Sequence, residues 1–309
     1  MRRQLCTSSV HGAAKKHAVF QNCGGTDVST LIDLEGKAAV VTGAASGIGR
    51  GIARALASRG CRVALADVDL EGAQKVARDI SESGVDAFAL RCDVSRRTDV
   101  EALAQAAWGR FDEVNIVANN AGVAMRKADC IDTTEDESRR VLDINLMGVV
   151  HGCAIFGRRF VDQGTPAWII NTGSENSLGA PVLGMAMYTA TKHAVLGYSD
   201  VLRQELPDSV GVSVLCPGIV ATKMSSISKD DEKPEFGLTG DEVGEMAVAG
   251  MLAGEFYIVT HGPVAAFVDE RYQEIMSAFA RQAPRVNGDE YLDTRHAIKV
   301  VTERTRQGP

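Results

Sequence analysis

The chain has 309 residues, 45% of them apolar and 24% charged, a size and balance that suit one large α/β domain or two small ones and exclude a disordered or fibrous protein. Its formal net charge of -7 comes from intermixed acids and bases without a basic cluster, which argues against a nucleic-acid partner. Seven cysteines (Cys6, Cys23, Cys61, Cys92, Cys130, Cys153 and Cys216) lack close pairs and lack metal-like spacing to histidine, so neither a disulfide framework nor a metal site is expected.

Residues 1–34 read as an N-terminal extension, expected to be disordered. Within it, residues 1–26 carry Arg2, Arg3, Lys15 and Lys16 and no acid before Asp27, a composition shared with organellar transit peptides. The expected location is therefore the cytoplasm, or an organellar matrix if that stretch is a transit peptide. With no apolar run of bilayer-crossing length, no membrane is expected as a partner.

From Lys37 onward, short β-branched or apolar runs alternate with longer amphipathic stretches. Strands are predicted at 38–42, 62–67, 87–91, 114–119, 167–172, 211–216 and 256–260. Helices are predicted at about 48–60, 70–83, 97–109, 135–162, 187–205 and 241–253. Because parallel strands need crossover helices, this order predicts one α/β domain, a doubly wound parallel sheet of Rossmann-like type, over residues 35–262. Residues 223–240 are polar, include Pro234 and Gly237, and predict a mobile loop after a strand end, where it could cover a substrate. Residues 263–309 form a C-terminal helical extension and charged tail. In it, Val268, Tyr272, Ile275, Met276 and Phe279 recur at helical spacing.

The first strand runs into Thr42-Gly43-Ala44-Ala45-Ser46-Gly47-Ile48-Gly49, where a helix begins. Glycines there let the backbone turn sharply and approach a pyrophosphate, stabilised by the free N–H groups at the helix start. The spacing is Gly-x-x-x-Gly-x-Gly, and a purely structural turn is the alternative. The second strand ends at Asp67, where a carboxylate accepts from adenosine ribose hydroxyls and repels a 2′-phosphate, so NAD is the expected cofactor. A plain surface acid, like Asp69 beside it, is the competing explanation.

Further along stand Asp93-Val94, Asn119-Asn120-Ala121-Gly122, Ser174 after the fifth predicted strand, and Tyr188-Thr189-Ala190-Thr191-Lys192. In this order the motifs closely resemble the short-chain dehydrogenase/reductase family, over roughly residues 35–260. The resemblance implies a catalytic tetrad of Asn145, Ser174, Tyr188 and Lys192. It also implies a cofactor site of Gly43, Ser46, Gly47, Ile48, Gly49, Asp67, Asp93, Val94 and Asn120, with Tyr188 and Lys192 at the nicotinamide ribose. Ile219, through its backbone, and Thr222 would hold the carboxamide. Ser177 is a rival to Ser174, although Ser174 fits the family's interval to the tyrosine. Homodimers or homotetramers are common among such proteins, through helices here at 135–162 and 187–205.

The chemistry implied is hydride transfer between NAD and a secondary alcohol or ketone. A carbinol gives up hydride only as its proton leaves, so a general base is needed, and a phenol of ordinary pKa ~10 must be helped by a nearby cation. Lys192, one helical turn from Tyr188, is placed for that. Asn145 is thought in such proteins to hold a water that links the lysine to solvent. Glu175, Asn176, Leu183, Met185, Met187, Ala124, Met125 and the 223–240 loop are candidates to line the substrate, and their apolar bias suggests an apolar or aromatic small molecule. A cofactor-binding regulatory or scaffolding protein without turnover is the alternative function.

Overall fold

The computed structural model describes residues 32–179, 182–222 and 237–294. Most of the 223–240 loop, nearly all of the N-terminal extension and the tail from 295 lie outside the described residues. Seven parallel strands form one sheet, with the third, second, first, fourth, fifth, sixth and last of them in chain order lying side by side in that sequence. They are β1 (Ala38–Thr42), β2 (Arg62–Asp67), β3 (Ala87–Arg91), β4 (Ile116–Asn119), β5 (Ala167–Thr172), β6 (Val210–Cys216) and β9 (Tyr257–Val259). This is the expected Rossmann-like architecture, with the strand order reversing between β1 and β4, where open parallel sheets form a crevice at their carboxyl ends.

Alternation along each strand builds two cores. Ala39 and Val41 of β1, Val63 and Leu65 of β2, Ile116 of β4 and Ile170 of β5 pack on one face, with α1 (Gly47–Ala57), α2 (Leu70–Glu82) and α7 (Gly240–Leu252). The intervening Ala38, Val40, Ala64, Val117 and Ile169 pack on the other, with α3 (Arg97–Phe111), α5 (Gly148–Gln163) and α6 (Ala186–Glu205). With both faces covered, the strands read as continuous apolar runs.

Local chemistry sets the element ends. The Asp69 side chain accepts from the Gly72 N–H at the start of α2. Thr239 and Glu242 form a reciprocal capping box on α7. Glycines let α1 and α7 touch backbone to backbone, since a Cβ on Gly51 would lie 2.9 Å from the Asp241 Cα, and Asp241 pairs with Arg50 at 3.3 Å and Arg54 at 3.1 Å across the same contact.

Several details differ from the expectations. The fourth strand starts at Ile116 instead of 114, because Asn115 turns its side-chain oxygen to the Ala38 N–H. The helix expected at 135–162 is α4 (Glu135–Leu142), a π turn at Asp143–Met147 and then α5. Within that stretch, Glu135–Gln163, one 18-residue window reaches a mean hydropathy of 1.2, so by length and composition alone it passes for a membrane-crossing helix. Half of its apolar part is buried, with α5 against α3, β4 and β5, as in a core helix. Finally, two short strands, β7 (Val220–Ala221) and β8 (Leu238–Thr239), pair in parallel and bring together the two ends of the 223–236 segment.

Candidate active site

Thr42 organises the crevice. Its hydroxyl accepts from Asn120 N at 2.9 Å and Ala121 N at 3.1 Å and donates to the Ala118 carbonyl at 3.2 Å. Asn120 Nδ2 donates to the Thr42 carbonyl at 2.9 Å, and a Cβ on Gly49 would lie 2.6 Å from that same nitrogen. Gly43 and Gly47 have φ of +66° and +54°, the left-handed region that favours glycine. A Cβ on Gly47 would also meet the Thr222 methyl at 2.8 Å, so the glycine turn and the 217–222 loop come together. Ser46 caps α1 without a side-chain bond to it, Ile48 is half-buried, and the first turn of α1 has no acid to offset its positive end.

Asp67 is fixed on this turn. Its Oδ2 accepts from Ala45 N at 3.0 Å and its Oδ1 from Asp69 N at 2.9 Å. Asp93 and Val94 lie farther along the crevice after β3. Asp93 Oδ1 accepts from the Ser95 N–H and hydroxyl, and the Val94 carbonyl is met by His151 Nδ1 at 2.9 Å.

At the ends of β4 and β5, Asn145, Ser174, Tyr188 and Lys192 converge. Asn145 sits in the π turn, fully buried, with its amide paired both ways to Val123: Val123 N donates to Oδ1 at 2.8 Å and Nδ2 donates to the Val123 carbonyl at 2.9 Å. A π turn spreads helix backbone around one extra residue and recurs at functional sites. A Cβ on Gly122 would lie 3.2 Å from Asn145 Oδ1 and 3.7 Å from Lys192 Nζ, so glycine there leaves the space between them open.

Tyr188 is the third residue of α6 and Lys192 follows one turn later, its Nζ 5.7 Å from the Tyr188 ring centroid. Lys192 is 4% exposed and donates to the Thr172 carbonyl at 2.8 Å. Burial pushes its pKa down to about 8, offset in part by the Cys216 thiol. Burial pushes the Tyr188 phenol up, the Ser174 side chain within hydrogen-bonding reach pulls it down, and the Glu175 carboxylate pushes it up again. On its own, the chain therefore holds the phenol protonated, and lowering it toward neutrality needs a further positive charge.

Ser177 does not compete for the tyrosine. Its hydroxyl bonds the Ser174 carbonyl and accepts from Ser174 N at 3.3 Å, closing a capping box on the turn Glu175–Ser177. Around the tyrosine, Met125 Sδ meets Tyr188 N at 3.4 Å and Asn176 Nδ2 donates to Thr189 Oγ1 at 3.1 Å, while Leu183 is 93% exposed. Met185 caps α6, and Glu175 is half-buried, its carboxyl pushed up by burial and pulled down by His261. His261 and His151 were not singled out from the sequence, where neither stands at a spacing that ties it to the motifs.

A parallel sheet with a glycine turn at its switch point and a buried phenol–ammonium pair above it defines a Rossmann-type protein with a titratable centre at the mouth of the crevice. The profile of the short chain dehydrogenase family matches residues 37–233, more than half of the chain, and the chain belongs to that family. The 1-deoxy-11-beta-hydroxypentalenate dehydrogenase of Streptomyces avermitilis is 32% identical over 255 residues, covering 81% of this chain and 93% of that protein. A short-chain dehydrogenase/reductase from Burkholderia phymatum in complex with NAD superposes with a TM-score of 0.73 at 30% identity, over 82% of this chain and 98% of that one. An alcohol dehydrogenase from Thermococcus sibiricus complexed with 5-hydroxy-NADP gives a TM-score of 0.66 at 28% identity, over 72% and 95%.

Proposed function

We propose that this chain is an oxidoreductase that moves a hydride between NAD(H) and a secondary alcohol or ketone, with Tyr188 as the general acid/base. The observation that carries the reading is the convergence of Ser174, Tyr188 and buried Lys192 beside the glycine turn. The site fits a dinucleotide: side chains at Gly47 and Gly49 would fill the cradle, and the α1 start carries no competing acid. Relatives solved with NAD and with an NADP derivative support a nicotinamide cofactor, and Asp67 is the reason to favour NAD.

When bound, the nicotinamide supplies the hydride acceptor or donor and, oxidised, a second positive charge near the phenol. The protein does the rest. Ser174 fixes the substrate oxygen within reach of the Tyr188 hydroxyl, which takes its proton in oxidation and returns it in reduction. Lys192 favours the phenolate by its charge and would also hold a ribose hydroxyl of the bound cofactor. Asn145, bound to Val123 on both sides, holds the opening beside Lys192 through which a water passes protons onward. Met125, buried with its Sδ against Tyr188 N, gives the tyrosine an apolar neighbour, which fits an apolar or aromatic alcohol.

The test is Tyr188→Phe, assayed by the absorbance of reduced nicotinamide over a panel of secondary alcohols and ketones. The variant keeps NADH binding and loses at least ~10²-fold in turnover, the low end of what a positioned acid/base contributes. A near-normal rate removes Tyr188 from the mechanism, and NADH binding with no turnover by the wild type points to a binding protein instead.

A further inference from the structure

Sequence placed Asn176 among the candidates to line the substrate, but its amide is turned into the protein. It is 3% exposed, in the middle of the turn Glu175–Ser177 between β5 and α6. Its Nδ2 donates to Thr189 Oγ1 at 3.1 Å, and its Oδ1 accepts from the Ser174 hydroxyl at 3.4 Å. The two ends of one planar amide therefore span from the turn that carries Ser174 to the residue that follows Tyr188 on α6.

A hydroxyl has one proton to give and two lone pairs to receive with. At Ser174 Oγ the Asn176 backbone N–H takes one lone pair at 3.2 Å, and Asn176 Oδ1 takes the proton. One lone pair is left, and the Tyr188 side chain is within hydrogen-bonding reach of this hydroxyl. Backbone and side chain of a single residue thus set both the rotamer of Ser174 and the direction of its proton, while Ser177 engages the Ser174 backbone. The bond to Oδ1 is longer than the ordinary O–H···O range of roughly 2.5–3.0 Å, so it orients the proton without holding it tightly. A substrate oxygen that offers a shorter bond can take that proton over.

We propose that Asn176 is a positioning residue for the reaction: it aims the Ser174 hydroxyl and ties the serine-bearing turn to α6 at Thr189, which fixes the spacing between the Ser174 and Tyr188 hydroxyls. The inference rests on the reading above that Ser174 and Tyr188 act on the substrate oxygen.

The experiment compares Asn176→Ala, which removes the amide and keeps the backbone N–H, with Thr189→Val, which removes only the anchoring hydroxyl. Each is made in the wild type and in Ser174→Ala. Turnover is measured at saturating NAD with the most active alcohol of a panel that includes 1-phenylethanol, by single-turnover formation of NADH where the rate is low. NADH affinity is read by fluorescence titration. Asn176→Ala is expected to lose about tenfold in kcat, the scale of one lost hydrogen bond, and Thr189→Val about threefold, with NADH affinity and KM for NAD within about twofold of the wild type. In the Ser174→Ala background the same substitutions change the rate by less than about twofold, because there is no hydroxyl left to aim. A merely structural role gives equal losses in both backgrounds and overturns the inference. So does a kcat within about twofold of the wild type in both single variants. Thr189→Val, which keeps the shape of the side chain, carries the same cycle if Asn176→Ala does not fold. A wild type that binds NADH and turns over no member of the panel overturns the oxidoreductase reading itself, and this inference with it.

Discussion

Lys192 is a buried cation whose hydrogen-bond partner among the described residues is a carbonyl, that of Thr172, so its charge works against the fold. Its pKa of about 8 lies below its ordinary 10.5, so between those values the unfolded chain binds the proton that the folded one has lost. Stability contributed at this position therefore rises with pH across that window, by at most ~1.4 kcal/mol per pH unit and roughly 3 kcal/mol in all, and the penalty is constant below about pH 8. In Lys192→Met this slope should vanish, which urea unfolding of the cofactor-free protein at several pH values measures against the wild type. Turnover should fall at least ~10²-fold in the same variant. An unchanged pH slope would mean that Lys192 is solvated in the folded state. The Tyr-x-x-x-Lys spacing made this pair legible in the sequence, because one helical turn places both on one face. The choice between Ser174 and Ser177 needed the structure, which shows the Ser177 hydroxyl engaged with the Ser174 backbone. The upward push of Glu175 on Tyr188 was not legible at all, because it depends on how a turn folds back beside a helix.

The glycine turn and the end of β2 act together. Asp67 reaches across to Ala45 N, so the acid proposed for the ribose also braces the turn proposed for the pyrophosphate. A phosphate set ~4 Å from that carboxylate, at an effective dielectric of ~20, is repelled by roughly 4 kcal/mol per unit charge pair, an upper figure reduced by solvent and salt. Half of it exceeds a tenfold preference. The wild type is expected to favour NAD over NADP at least about tenfold in kcat/KM, with Asp67→Ser narrowing the gap by weakening NAD and admitting NADP. Steady-state kinetics with both cofactors checks this, and equal efficiencies in the wild type would place Asp67 away from the ribose. The strands β1, β2 and β5 were legible to the residue because both faces are buried and the runs end abruptly at turns; β3, half-buried at the sheet edge, was legible from its apolar run alone. The π turn was not, since one extra residue barely disturbs the periodicity of a long helix. Nor were β7 and β8, two residues each, which pair only because the chain returns at Gly237, where φ is +91°.

At the scale of the whole molecule, α8 (Val264–Gln282) stands apart from the layers around the sheet. Its apolar residues recur at the expected helical spacing, yet none of the nineteen is buried: Tyr272 is 58% exposed and Phe279 59%. Both hydrophobic cores are complete without it, the last residue they include being Ile258. The described part of the helix meets the rest of the protein at its start, where a Cβ on Gly179 would lie 2.9 Å from the Val268 Cα, and Gly179 closes the turn that begins at Glu175 beside the tyrosine. The proposed catalytic unit, residues 35–262, should accordingly fold by itself. A chain ended at Gly262 retains β9 and His261 and is expected to melt within about 4 °C of the full chain, the shift that roughly 1 kcal/mol produces in a domain of this size. Its NADH affinity should be unchanged, because every residue assigned to the cofactor precedes the cut. Its KM for alcohol substrate should rise, because the 175–179 turn loses the backbone on which it packs. Differential scanning calorimetry, NADH titration and substrate saturation together decide the matter. A truncated chain that fails to fold would make α8 part of the domain, and an unchanged substrate KM would separate the helix from the site.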